Sequence, residues 1–129
     1  MTNDNIEKLK ELTPKLPPLS DIINGSGDYR EFRLKAGYGF MFKLYKNDKV
    51  MASRCYNSAG SIMPQHQHGA IEYVIVYEGE MHLKVNNETK ILKRGDCSVI
   101  PPNTIHGFSV CPFDLWYLII AIPPLGVFK

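Results

Sequence analysis

The chain has 129 residues, 44% of them hydrophobic, which is enough for one domain with a substantial core and too little for a second. Fifteen basic residues against thirteen acidic ones leave a formal charge of +2, scattered rather than clustered, which excludes a surface built to track nucleic-acid phosphates. An Arg-rich leader, an apolar signal core and a run of about eighteen apolar residues are all missing, so a cytoplasmic protein without a membrane partner is expected.

From the N-terminus, Asp4 to Leu12 is expected to form a short helix. Asp4 and Glu7 make a capping-box-like start, and Ile6, Leu9 and Leu12 mark one apolar stripe. Pro14 ends it, the proline-rich stretch from Thr13 to Leu19 favours an extended path, and Ser20 to Asp28 is rich in turn residues. Residues 1–28 are therefore read as a helix and linker arm, and residues 29–129 as the folded domain.

After the arm the pattern becomes β. Strands are predicted over Tyr29–Lys35, Gly37–Tyr45, Lys49–Tyr56, Met63–His68, Glu72–Tyr77, Met81–Val85, Lys90–Leu92, Cys97–Ile100, His106–Val110 and Leu115–Ile122. Turn signals such as Asn47-Asp48, Asn86-Asn87 and Pro101-Pro102-Asn103-Thr104 separate them. Many short strands with almost no helix indicate a sandwich or barrel, which also removes most exposed edges. Tyr38, Phe40, Phe42, Tyr45, Phe108 and Trp116 are expected in the core. Lys43, Lys46, Lys49 and Arg54 are expected on a solvated face. Cys55, Cys97 and Cys111 are odd in number and form no CxxC pair, which argues against disulfides and suggests small buried side chains in a reducing compartment.

The stretch Gly60–Gly79 carries the chemistry. His66 and His68 are two apart, so on a strand both rings leave the same face. Glu72 follows Gly69, where the chain can bend the carboxylate back beside them. This grouping suits one metal ion. Cys55 and Cys111 could join it if their strands face the same way.

These residues resemble the cupin superfamily. Its first motif is Gly, five residues, His-x-His, three or four residues, Glu, six residues and Gly, and Gly60, His66, His68, Glu72 and Gly79 fall on every mark. Its second motif is matched by Gly95, Pro101 and His106, while Asn103 stands for a glycine and Val110 for an asparagine. The resemblance covers roughly residues 49–122. It implies an all-β cupin barrel, the double-stranded β-helix or jelly roll, with His106 completing a His66, His68, Glu72, His106 ligand set. Asn103 tolerates the left-handed backbone that a glycine would supply. Val110, two steps beyond Phe108, is expected to point inward and form an apolar wall.

Three imidazoles and a carboxylate suit a divalent transition metal, namely Fe, Mn, Ni, Co, Cu or Zn, over Ca or Mg. His82 and Gln67 are expected to face away. Proteins of this superfamily include dioxygenases, sugar-phosphate isomerases, decarboxylases and plain binding modules, so fold alone does not choose a reaction. The first reading is a metal-dependent enzyme on a small-molecule substrate, with an oxygenase as its simplest form and an isomerase or lyase next. The second is a non-catalytic sensing or binding module, because Glu72 is the only acid evidently placed in the pocket. A third makes the metal a structural staple. A homodimer is expected, aided by the N-terminal arm and by the apolar tail around Leu125 and Phe128.

Overall fold

The computed structural model describes residues 23–24, 29–34 and 36–128. The expected helix at 4–12 and the proline linker lie outside them. Eleven strands make up the fold: β1 (Ile23–Asn24), β2 (Tyr29–Leu34), β3 (Gly37–Lys46), β4 (Met51–Asn57), β5 (Met63–His66), β6 (Ile71–Glu78), β7 (Glu80–Val85), β8 (Glu88–Lys93), β9 (Cys97–Ile100), β10 (His106–Phe108) and β11 (Leu115–Ile122). No described helix is long and apolar enough to cross a membrane.

The strands form a seven-stranded sheet, ordered β1-β2-β3-β4-β11-β6-β9, and a four-stranded sheet, ordered β5-β10-β7-β8. The last strand, β11, lies between β4 and β6, pairing antiparallel with both. The chain therefore rolls into two facing sheets, and the alternation of side chains decides what lies between them. Along β4, β6 and β11 every second residue is buried, and Val74, Val76, Leu83 and Leu115 are wholly enclosed. Each such aliphatic side chain contributes about 1.5–3 kcal/mol relative to exposure.

Turn chemistry fixes the registers. Asn47 accepts hydrogen bonds on its side-chain oxygen from the Lys49 and Val50 amides, closing the β3–β4 connection. Asn86 and Asn87 both take positive φ in the two-residue turn between β7 and β8. Gly79 joins β6 to β7 at φ +86, where a Cβ would lie 2.3 Å from the Asp114 carbonyl oxygen. Only glycine fits there.

Several expectations are corrected. Of the aromatic residues assigned to the core, Phe108 alone is buried there; Tyr38 and Tyr45 are exposed, and Phe40, Phe42 and Trp116 are half-buried. They occupy the outward face of the large sheet, because strands β3 and β11 are apolar on both sides and periodicity could not say which side was in. Val110 is 51% exposed rather than inward. Strand β10 ends at Phe108, and its pairing with β5 shifts register between His106 and Phe108, so alternation does not carry on to residue 110. Cys97 is exposed, while Cys55 and Cys111 are buried, and all three are free thiols.

The apolar C-terminal tail packs on its own chain. Leu125, Val127 and Phe128 are buried in this chain's own core. Arg30 Nε donates to the Val127 carbonyl at 2.8 Å with its guanidinium over the Phe128 ring, and Lys46 Nζ donates to the Phe128 carbonyl.

The glycines separate turn from spacer in a measurable way. Gly79→Ala is expected to cost about 2 kcal/mol or more, from positive φ and the carbonyl clash. Gly69→Ala, where a Cβ would meet nothing within 4 Å, is expected to stay within about 0.5 kcal/mol of wild type. Urea unfolding of the two variants checks both values.

Candidate metal centre

The site forms where the two sheets face each other. His66 and His106 are direct cross-strand partners on β5 and β10, with ring centroids 4.4 Å apart. His68 lies two residues further on, past the end of β5, and its carbonyl accepts the Asn103 amide at 2.8 Å. Asn103 itself has φ +57, the left-handed conformation expected of a residue standing in for glycine. Glu72 comes from β6, in the opposite sheet. The connection through residues 67–70 therefore carries the chain from one sheet to the other, and Gly69 does so without a left-handed φ.

The nitrogens of His66, His68 and His106 all lie within 4.8 Å of one another and could hold a metal ion. Glu72 Oε1 lies 3.9 Å from His106 Nε2 and in closer contact with His68 Nε2. Of the four residues named from the sequence, the three histidines form the group that could hold an ion, and Glu72 lies against His68 at its edge. His66 Nδ1 donates to the Pro64 carbonyl at 2.8 Å and His106 Nδ1 to the Thr104 carbonyl at 2.7 Å. A carbonyl only accepts, so each ring carries its proton on Nδ1 and keeps the Nε2 lone pair for a ligand.

A fit to a metal is tested by the polar atoms left over. Both ring nitrogens of His68 and Nε2 of His106 are buried without a hydrogen-bond partner. His68 Nε2 and Glu72 Oε1 are in close contact, the imidazole lying directly against the carboxylate. Orphaned buried nitrogens beside a 4% exposed carboxylate are costly in the absence of a cation and fit transition-metal ligation.

Electrostatics agree with that reading. Burial, reinforced by His106, lowers the His66 pKa to about 4. Burial likewise lowers that of His106, keeping both rings neutral and ligand-ready. Burial opposes protonation of His68 too, but the adjacent carboxylate outweighs it and raises the pKa. Burial pushes Glu72 upward, yet His68 and then His106 and His66 hold it below its ordinary value.

Beside the ligands is a cavity of about 30 Å³, lined by Met41, Met63, Phe108, Ile119 and Leu125 along with His66, Glu72 and His106. That is room for a water-sized ligand. Cys55 and Tyr117 complete the lining. Burial, opposed by the Ser53 hydroxyl, pushes the Cys55 thiol up to about 12, and burial raises Tyr117 well above its ordinary value. Both are protonated at neutral pH. Tyr117 donates to Asn57 Oδ1 at 2.9 Å.

Cys55 faces the cavity but stands outside the group that could hold an ion, as does Cys111. His82 pairs with Glu80 at 2.9 Å away from the site, and Gln67 is exposed. Tyr117 was missed by sequence reasoning. The period-two pattern that buries Leu115 and Ile119 places it inward as well, and was the available signal.

A sequence model described as a Cupin domain matches residues 55–114. No curated protein sequence matches the chain. Among solved structures, an RmlC-like cupin from Shewanella frigidimarina is 26% identical, with a TM-score of 0.62 over 81% of this chain and 85% of that one. KdgF from Halomonas sp. is 18% identical, with a TM-score of 0.63 over 81% and 87%. The DMSP lyase DddQ from Ruegeria pomeroyi is 25% identical, with a TM-score of 0.57 over 62% of this chain and 41% of that one.

His68→Ala is expected to abolish stoichiometric metal in protein purified without chelator, as read by elemental analysis; full retention would remove the ligand assignment. For chelator-treated protein, acid should destabilise the fold. An unfolded His66 takes up its proton near pH 6.5, whereas the folded one resists until about pH 4, so stability is present above the first value and lost as pH falls through the second. His106 acts in the same sense and His68 in the opposite one. A midpoint temperature that drops between those pH values in thermal melts is the expected outcome.

Proposed function

Because the chain carries a Cupin domain and belongs to the cupin superfamily, we propose that it is a metal-dependent enzyme acting on a small organic substrate, with an oxygenase as the simplest form. His66, His68, Glu72 and His106 are the proposed ligands of a divalent transition metal. The observation that carries this reading is the set of orphaned imidazole nitrogens and one buried carboxylate converging beside an apolar cavity. A metal held by four protein ligands supplies Lewis-acid or redox chemistry at its remaining coordination positions.

The chain's own residues do the rest. The Pro64 and Thr104 carbonyls fix the tautomers of His66 and His106, and Met41, Met63, Phe108 and Leu125 keep bulk water out. Tyr117 and Cys55 line the cavity as neutral groups rather than as bases, their protons directed to Asn57 and Ser53. Among the described cavity residues Glu72 is the sole acid. As a proposed ligand it is not free to act as a general base, which favours chemistry centred on the metal.

The same observation favours a second reading, a binding or sensing module in which a small ligand is held without turnover. Isomerase and lyase chemistry stand between the two, and the DMSP lyase neighbour keeps elimination in view. The three free thiols support a reducing, cytoplasmic setting.

Elemental analysis followed by oxygen-electrode assays with catechols, thiols and β-diketones separates the readings. Stoichiometric iron and oxygen uptake with one substrate class is expected. An iron-loaded sample that consumes no oxygen with any of them would sink the oxygenase form.

A further inference from the structure

We infer that the cleft between β8 and β9 is a binding site for a free aliphatic amino acid. These two strands end their respective sheets, and no pairing joins them. The cleft has a volume of about 360 Å³, against about 30 Å³ for the cavity beside the candidate metal centre, and the two share no lining residue. That volume falls in the range of small-molecule sites. The β7–β8 hairpin forms one side of the cleft and β9 the other. Asn86 braces the hairpin, its backbone amide donating to the Ile105 carbonyl at 2.9 Å.

The lining chemistry selects the ligand. Glu88 and Lys90 stand two apart on β8, so their side chains leave the face that buries Leu92, about 7 Å from each other along the strand. Neither is in an ion pair with a described residue. A ligand that carries an ammonium and a carboxylate close together satisfies both charges at once, which a simple acid or amine does not. Ser98, largely enclosed on β9, has a hydroxyl without a hydrogen-bond partner among the described residues, able to donate to the carboxylate or accept from the ammonium. The Asn86 and Asn87 side chains add donors and acceptors, and Val85 and Val99 supply apolar wall for a branched side chain. A zwitterion of the size of valine or leucine matches this set. Inward charges on an edge strand also discourage pairing with another chain, but that role calls for neither the Ser98 hydroxyl nor a cleft of this volume.

The test is isothermal titration calorimetry of the full-length protein with L-valine and L-leucine, and with isovalerate and isobutylamine, which keep the branched chain and only one charge. Saturable binding of an amino acid with a Kd of about 1 mM or below, and none of the acid or the amine, is expected. Glu88→Gln and Lys90→Met should each weaken it about 10-fold or more, the worth of one charge-assisted hydrogen bond. Lys93→Met, on the same strand but outside the cleft, should leave the Kd unchanged. Far-UV circular dichroism checks that each variant is folded, and Lys90→Gln replaces the methionine variant if that one aggregates. No saturable heat from either amino acid at about 20 mM, well above a millimolar Kd, overturns the proposal. So does isovalerate binding as tightly as valine, or a Kd indifferent to the Glu88 and Lys90 substitutions in folded protein. Variants that aggregate beside a wild type that binds nothing would overturn it too, and would assign the two charges to protection of the edge strand.

Discussion

The constraint on which this fold depends is the burial of Glu72. A carboxylate 4% exposed between two apolar sheets is not tolerable by itself, since desolvating an isolated charge costs several kcal/mol even after relaxation. Three imidazoles surround it. Two of them are themselves pushed towards the neutral form by burial. His68, whose pKa the carboxylate raises, is its one close partner, and the neutral His66 and His106 rings keep lone pairs that could hold a divalent cation. Metal binding at such a cluster would be linked to folding, because each ligating ring must be deprotonated and inward-facing at once.

That requirement explains the topology. No single strand can surround an ion, so the ligands come from β5, the turn after it, β6 and β10, and the two sheets must face each other for them to meet. Cross-strand pairing of His66 with His106 sets one edge of the site by backbone geometry alone. Backbone carbonyls two residues upstream hold both rings. Strand β6 carries Glu72, Val74 and Val76 inward and Tyr73, Ile75 and Tyr77 outward. One strand thus lines the candidate site on one face and carries apolar side chains outward on the other, and its neighbour β11 does the same with Tyr117 and Trp116.

Much of this was legible in the sequence. Cys97–Ile100 and Leu115–Ile122 form the predicted strands residue for residue, and the three histidines named from the motif spacing come together. Legibility failed where periodicity lacks a reference. In β3 and β11 both faces are apolar, so Phe40 and Trp116 read as core although they lie outside. Val110 was extrapolated along a strand that stops at Phe108, because a register shift against β5 is a tertiary event with no local signal. Leu125 and Phe128 read as a sticky tail because nothing in their own composition shows that Arg30 and Lys46, about a hundred residues upstream in the first case, tie them down.

Tyr117 and Cys55 bear on what chemistry the pocket can host. Both face a cavity walled by methionine, phenylalanine and leucine, where charge is penalised and neither group loses its proton at neutral pH. General-base catalysis needs a group whose pKa lies near the working pH. Among the cavity's groups, Tyr117 and Cys55 lie far above that range and the Glu72 carboxylate is held below it by three imidazoles. Proton abstraction by a side chain is accordingly the step this pocket is least equipped to perform. On the reading proposed above, activation falls to the metal that His66, His68 and His106 could hold, while Tyr117 and Cys55, their protons directed to Asn57 and Ser53, shape the cavity wall.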